Sequence, residues 1–457
     1  RLVGVGHTEV GHPDVRKAGE GGTRARPPPA PPPRPPDGGP AWSLAIVPRG
    51  DVDVRSWIRR VDVTDLAAGD GFDGARGRAL IQGLAATANA ELDPDSGQTI
   101  RAVWLDAGPA RPGRLLLIIH HALIDGVSWS IVLEDLAAAG GALAVGKRPE
   151  LAPVPVSFAG WASSLDAQAR APRTDERLPF WLDLLGRATP APWSGSGEPG
   201  SGQPVEAAES ARPEPVTVTL PPARATSMLS TVPAAFGVGV DELLLAALSL
   251  AVAEQTGPGP AGTLVAVQAH GRQEHVVDDQ DLSRTVGWLA EIFPFLLEHP
   301  AEDGAAPGER SLDATVARIH ALMAEIPDGG TDYSMLRFLN PRTAPLLATA
   351  PAPTVYLNYV GRLTRGGTAD WAVAEEDEEL FADWNSDQPD PFALSVIVRV
   401  VDGPAGPELT ARWTSGPDGP AGPVVTGLAA GWLRALDALA ARAARLGSPE
   451  PAAAGHS

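Results

Sequence analysis

His120-His121-Ala122-Leu123-Ile124-Asp125-Gly126-Val127-Ser128-Trp129 follows directly on the apolar run Leu115-Leu116-Leu117-Ile118-Ile119. A run that short and apolar makes a buried strand, so the chain carries an imidazole pair out of a core strand into a turn. Histidine has the side chain whose unperturbed pKa lies nearest neutrality, which suits it to moving protons. Successive residues of a strand point to opposite faces, so His120 and His121 cannot both address one substrate. One is expected to be structural and the other to work. Asp125-Gly126 is expected to set the turn, with a helix over 129–139 behind it. A lone His at a strand end is ordinarily a satisfied core or surface residue. That bland reading is preferred for His120, which should face the core, and for His270. His121, inside the whole motif, is the candidate acid or base. Asp125 reads as half of a buried ion pair holding the loop, with Arg272 or Arg284 as its partner. A zinc site from His120, His121, Asp125 and His270 is disfavoured by the opposed faces and the lack of cysteine.

The elements that must position these residues fit in a chain of 457 residues, a length that suggests two lobes. Hydrophobic residues make up 44%, enough for real cores, while 50 glycines and 47 prolines account for about a fifth of the chain. The net charge of −20 and a pI near 4.8 argue against a nucleic-acid or anionic-membrane surface. With no cysteine there is neither a disulfide nor thiolate chemistry, which fits a reducing, cytoplasmic setting. No uninterrupted apolar run is expected to reach the ~20 residues of a membrane span. The longest, 243–253, reads as a buried helix.

Residues 1–40 end in a proline-rich stretch, Arg26 to Pro36, and are expected to hold no packed structure. An N-terminal lobe is expected over 41–186, a Gly/Ser/Pro linker over 187–214, a C-terminal lobe over 215–447 and a disordered tail over 448–457. Strands are expected at 41–47, 58–63, 100–106 and 114–120, the last two as a hairpin around a Gly/Pro turn. In the second lobe strands are expected at 216–220, 264–268, 353–359 and 394–401. Helices are expected at 78–90, 158–169, 178–185, 311–325 and 425–445. The rhythm is α+β rather than doubly wound. The acidic run Glu375-Glu376-Asp377-Glu378-Glu379 reads as a solvated loop.

The stretch from His120 to Trp129 resembles the HHxxxDG motif of the condensation-domain superfamily of nonribosomal peptide synthetases. Arg284-Thr285-Val286-Gly287-Trp288, with Ile292-Phe293-Pro294, resembles the RTVGWFTxxYP motif of the epimerization branch. Leu357-Asn358-Tyr359-Val360-Gly361-Arg362 resembles FNYLGQ, and Val267-Gln268-Ala269-His270-Gly271-Arg272-Gln273 aligns with LEGHGRE. The segment 330–339 loosely matches GxGYGxLRYL. The family's opening PIQxWF has no counterpart here.

The resemblance implies an α+β fold of two chloramphenicol-acetyltransferase-like lobes, a V-shaped pseudo-dimer with a central tunnel. It implies a peptidyl carrier protein as partner, whose phosphopantetheine arm brings an aminoacyl or peptidyl thioester, alongside other synthetase domains in cis. No cofactor of the domain's own, no metal, no nucleic acid and no membrane are implied. The reaction implied is inversion at the thioester's Cα, with His121 on one side and the motif's first Glu on the other. His120, Asp125, Gly126 and Arg272 would be structural at the site. Ser128, Trp129, Trp288, Asn358 and Tyr359 would reach tunnel or substrate, although Trp288, Asn358 and Tyr359 equally fit simple packing between lobes.

One departure bears on the chemistry. Gln268 occupies the Glu position, and an amide does not titrate near neutrality. Loss of a general base costs ~10²–10⁴-fold, so racemising activity is expected to be impaired. Ala269 and Gln273 also depart from the motif, and Glu274 and Asp278 are carboxylates nearby. Peptide-bond formation needs no second carboxylate and tolerates Gln268. A non-catalytic carrier-docking domain is the third reading.

Overall fold

A computed structural model of the chain describes residues 2–6, 52–68, 71–72, 74–189, 213–256, 262–298, 308–363, 371, 373–374, 391–403, 405–416 and 418–446. The strand expected at 41–47, the acidic run and the C-terminal tail lie outside the described residues, as does most of the expected linker. Contacts divide the chain into two compact units, Val3–His120 and His121–Ser457 with Arg1–Leu2. The division therefore falls within the His-His motif, between its two imidazoles.

The first unit is built on a four-stranded sheet, β1 (Leu2–Gly6), β2 (Ile58–Asp62), β3 (Ile100–Asp106) and β4 (Arg114–Ile119), in the order β1-β4-β3-β2. β3 and β4 form the expected hairpin, antiparallel with Ile100 opposite Ile119, and β2 runs parallel to β3. Leu105, Leu116 and Ile118 are fully buried, and the helix Ala75–Ala90 adds Ile81 and Ala85 to the buried set. β1 corrects the expectation that nothing in residues 1–40 packs. The proline-rich stretch itself lies outside the described residues, whereas Leu2-Val3-Gly4-Val5-Gly6 keeps every backbone N–H and can pair with the open edge of β4.

The second unit carries a mixed seven-stranded sheet. Its strands are β5 (Ala188–Thr189), β6 (Val216–Leu220), β7 (Gly262–Ala269), β8 (Glu291–Leu297), β9 (Val355–Leu363), β10 (Leu394–Gly403) and β11 (Gly406–Ser415). β7 pairs antiparallel with β8 and parallel with β9, which is parallel to β10. β10 and β11 form a long antiparallel pair. β5 falls inside the segment expected as linker, where two residues add on to the start of β7. The helix Val240–Thr256 buries Leu243 through Leu248 without interruption, as that apolar run requires, beneath the helices Glu309–Glu325 and Gly422–Leu446.

Among the described residues two helices, Gly126–Ala144 and Gly422–Leu446, are long and apolar enough to cross a membrane by length and composition, and the bent pair Pro222–Phe236 and Val240–Gln255 passes the same test jointly. The expectation that nothing reached that length counted uninterrupted apolar residues and missed helices that tolerate scattered polar ones. In Gly422–Leu446 the apolar side is spent on the core, through Leu428, Trp432, Leu436 and Leu439. In Gly126–Ala144 the mid-helix Asp135 pairs with Arg284.

Trp413 of β11 and Trp432 are both fully buried, with ring centroids 6.0 Å apart and edge-on. Trp413→Ala is expected to lower the unfolding free energy by about 3–5 kcal/mol, read by urea titration, with Trp413→Phe losing distinctly less.

Candidate active site

β4 ends at Ile119, and His121 opens a 3-10 turn, His121–Leu123. His120 still belongs to the strand's hydrogen bonding, its N–H donating to Thr99 O at 2.8 Å. Both imidazoles are buried, at 5% and 9% exposure. Burial lowers the pKa of each, and for His121 it outweighs the opposing bond to Ile124 and the charge of Asp125. His121 Nδ1 lies 2.6 Å from the carbonyl oxygen of Ile124. A carbonyl only accepts, so Nδ1 carries the proton and Nε2 the lone pair of the neutral ring. The ring stacks on Trp288, with centroids 4.0 Å apart and planes 24° apart.

Asp125 caps the helix Gly126–Ala144, its Oδ1 accepting from Ser128 N at 2.8 Å. Gly126 is the first residue of that helix, has open space where a Cβ would go and is not left-handed. The turn is therefore made by the 3-10 residues and the Asp125 cap rather than by Gly126, contrary to expectation. Of the two arginines proposed for Asp125, the structure selects Arg272. Its Nη1 and Nη2 donate to Oδ2 and Oδ1 at 2.9 and 3.1 Å, and Leu289 N donates to Oδ2 at 3.0 Å. Arg284 instead pairs with Asp135 and Glu134. Burial alone would raise the pKa of Asp125, but the bonds from Arg272 and Ser128 outweigh it, and the carboxylate stays below its ordinary range.

Ser128, fully buried, joins the same clamp. Its Oγ donates to Gly287 O at 2.9 Å and accepts from Arg272 Nη2 at 3.0 Å and Gly287 N at 3.2 Å. Arg272 Nη2 also donates to Thr285 O. Three distant segments thus meet around one guanidinium. Gly271 is left-handed at φ 65°, and a Cβ there would lie 1.6 Å from Leu289 O. Close approach of the two backbones explains that glycine. Trp129 is half-buried at the start of its helix, and His270 is exposed, its Nδ1 accepting from Arg272 N.

Gln268 lies near the end of β7, on the face opposite the core residues Val265 and Val267. On β9 the matching face presents Tyr356 and Asn358, because Ala266 pairs with Tyr356 and Val267 with Leu357. Tyr356 donates its hydroxyl to Gln268 Oε1. Tyr359 takes the other face and packs against the core, which separates it from Asn358. Period-two alternation puts Asn358 on the face of Tyr356, a residue the sequence analysis did not single out.

Two carboxyls escaped the sequence reading. Glu291 opens β8 opposite Ala269, and Ser334 donates to its Oε2. Asp332, 1% exposed, accepts from Trp181 Nε1 at 2.9 Å. Burial, reinforced for Asp332 by Asp328 and for Glu291 by Asp332, pushes both up to about 7. Glu274 serves structure, its Oε1 accepting from Leu282 N, and Asp278 is an exposed left-handed turn residue. Among the described residues no group of three or more His, Asp or Glu side chains is arranged to hold a metal ion.

A family model described as Condensation domain matches residues 72–381, a span that contains the whole clamp. The chain belongs to the condensation-domain family. A linear gramicidin synthase polypeptide of Brevibacillus parabrevis is 32% identical over 333 residues, 71% of this chain and 6% of that protein. Chondramide synthase of Chondromyces crocatus is 32% identical over 304 residues, 66% of this chain and 7% of that protein. The chain thus spans only a small fraction of the curated relatives it matches. Among solved structures, the epimerization domain from the third module of tyrocidine synthetase B matches with a TM-score of 0.64 at 20% identity, covering 84% of this chain and 80% of that one. The first condensation domain of the CDA synthetase matches at 0.52 and 18% identity, covering 90% and 80%. These likenesses establish the expected α+β, chloramphenicol-acetyltransferase-like fold of condensation and epimerization domains.

Arg272→Leu leaves Asp125 buried without its cation and is expected to cost about 3–5 kcal/mol of stability, read by urea titration. The carboxyls at Glu291 and Asp332 predict a pH dependence. Both are held protonated in the folded state above the pH at which the unfolded chain ionises them. The stability they contribute is therefore full below about pH 4 and is lost as pH rises toward 7. Between those limits the unfolding free energy of the native chain is expected to fall relative to a Glu291→Gln, Asp332→Asn double variant, measured by urea titration at a series of pH values.

Proposed function

We propose that this chain is an epimerization-type condensation-family domain that acts on an aminoacyl or peptidyl thioester carried by a peptidyl carrier protein, with racemisation impaired by Gln268. The observation that carries the reading is the clamp of Asp125, Arg272 and Ser128. It ties the His-His motif to the Arg284–Trp288 segment and places the Trp288 ring on His121. The first resembles the superfamily's HHxxxDG motif, and the second resembles the RTVGW motif of the epimerization branch. Burial keeps His121 neutral, and the bond at Nδ1 leaves its basic nitrogen at Nε2. Such a base can take the proton next to a thioester carbonyl, and its conjugate acid can return one.

Inversion requires a second group on the far side of the carbon, and Gln268 supplies no titrating group there. The same residue favours a second reading, peptide-bond formation, in which His121 serves the attacking amine and no second carboxylate is needed.

The test is a carrier protein loaded with an L-aminoacyl thioester in D2O, with Cα deuterium and chirality read by mass spectrometry and chiral chromatography. Slow deuterium uptake that falls to background in His121→Ala is expected. Uptake unchanged by His121→Ala overturns the proposal. A new amide bond when a second loaded carrier is supplied, without Cα deuterium, replaces it with condensation.

A further inference from the structure

Gln268 is the residue whose presence the proposed reaction explains least, and its surroundings assign it a different task. Its carbonyl oxygen is taken by the Tyr356 hydroxyl. Tyr356 is itself held flat against Phe392, with ring centroids 4.9 Å apart and planes 6° apart. With one lone pair of the oxygen engaged and the amide thereby oriented, the group Gln268 has wholly unengaged is its NH2, which donates and never accepts. No hydrogen bond to Gln268 Nε2 is made by the described residues, and Gln268 is only half-buried. Asn358, a second amide, lies on the same sheet face.

Position along the chain ties this donor to the proposed base. His121 stands four residues before Asp125, and Gln268 four residues before Arg272, while Asp125 and Arg272 are bonded to each other. Each candidate group therefore lies four residues along the chain from one member of a single fixed ion pair. Glu291 cannot stand in for the missing carboxylate, because its partner Ala269 is the residue after Gln268 and so lies on the opposite face of β7.

We propose that Tyr356 is a positioning residue that fixes the Gln268 amide as a hydrogen-bond donor, so that this position binds the carbonyl oxygen of the carried acyl group instead of removing a proton. The inference rests on the carrier-thioester reading above. A donor aimed at a carbonyl oxygen stabilises charge that builds there when the neighbouring proton leaves, but it returns no proton. The chain then holds and polarises its substrate while inverting it poorly.

The experiment uses the full chain and a carrier protein bearing a stable aminoacyl-pantetheine amide, with binding read by fluorescence anisotropy. It is paired with the deuterium-uptake assay on the corresponding thioester. Tyr356→Phe keeps the ring stack and removes only the hydroxyl. It is expected to weaken binding of the amide analogue about 5–10-fold, the effect of one lost hydrogen bond. Gln268→Ala is expected to do the same, and the double variant no more than either single one. Gln268→Glu is expected to weaken analogue binding yet raise deuterium uptake at Cα by about 10² or more.

Additive losses, unchanged binding in both single variants, or a Gln268→Glu protein with no gain in uptake would overturn the assignment. If the native chain fails to bind the loaded carrier at all, the carrier-thioester reading fails with it. Normal native binding that neither substitution alters removes this inference alone.

Discussion

A single ion pair, Asp125 with Arg272, fixes the geometry of the site. Both side chains are almost fully buried, at 2% and 8% exposure, and they come from positions 147 residues apart. Burying two opposite charges is costly, and their attraction offsets the cost only when the remaining lone pairs and protons are also satisfied. Here that condition is met at every group but one, Arg272 Nε, which is buried without a hydrogen-bond partner among the described residues. The carboxylate accepts from the guanidinium twice and from the backbone N–H groups of Ser128 and Leu289, while the guanidinium also reaches Ser128 Oγ and two carbonyls. The arrangement has little latitude, because moving any one strand of this knot strands a buried charge.

The setting of His121 follows from that knot. Its turn is fixed on one side by the Asp125 cap and on the other by β4, and its ring is covered by Trp288, whose segment the same knot holds in place. The nearby Asp125 charge favours the imidazolium, yet burial dominates and the ring stays neutral. Asp125 spends its charge on Arg272, so the field left at the imidazole is small. The clamp therefore orients a neutral base without charging it.

How much of this was legible in the sequence depended on the range of the interaction. Local signals read well. β3, the helix Phe158–Ala169 and β6 fall where alternation and periodicity put them, and the largely apolar stretch at 243–253 is buried from Leu243 to Val252 as its composition demands. β8 and β11 were not foreseen. β8 contains a proline, and β11 interleaves Pro407, Glu408 and Arg412, so neither shows a clean strand signature. Within the site, His121 and the need for an arginine opposite Asp125 were readable from motif and chemistry. The choice of Arg272 over Arg284 was not, because it depends on the backbone crossing at Gly271 and Leu289, which no local pattern encodes.

The carboxyls teach the same lesson from the other side. A glutamate pushed up to about 7 matches the proton affinity wanted of a catalytic base at neutral pH, and Glu291 lies one register step from the position where the family's motif carries its Glu. Proton affinity alone would select it. The pleat overrules that choice: residues 268 and 269 point to opposite faces of β7, and Glu291 follows 269. Its carboxyl meets Ser334 and the field of Asp332, on the side where β7 and β8 pack against the core, whereas Gln268 meets Tyr356 on the other. A one-residue offset along a strand thus separates a group with the right affinity from the place where that affinity would be of use. What stands in that place is an amide whose oxygen accepts from Tyr356 and whose NH2 makes no hydrogen bond among the described residues.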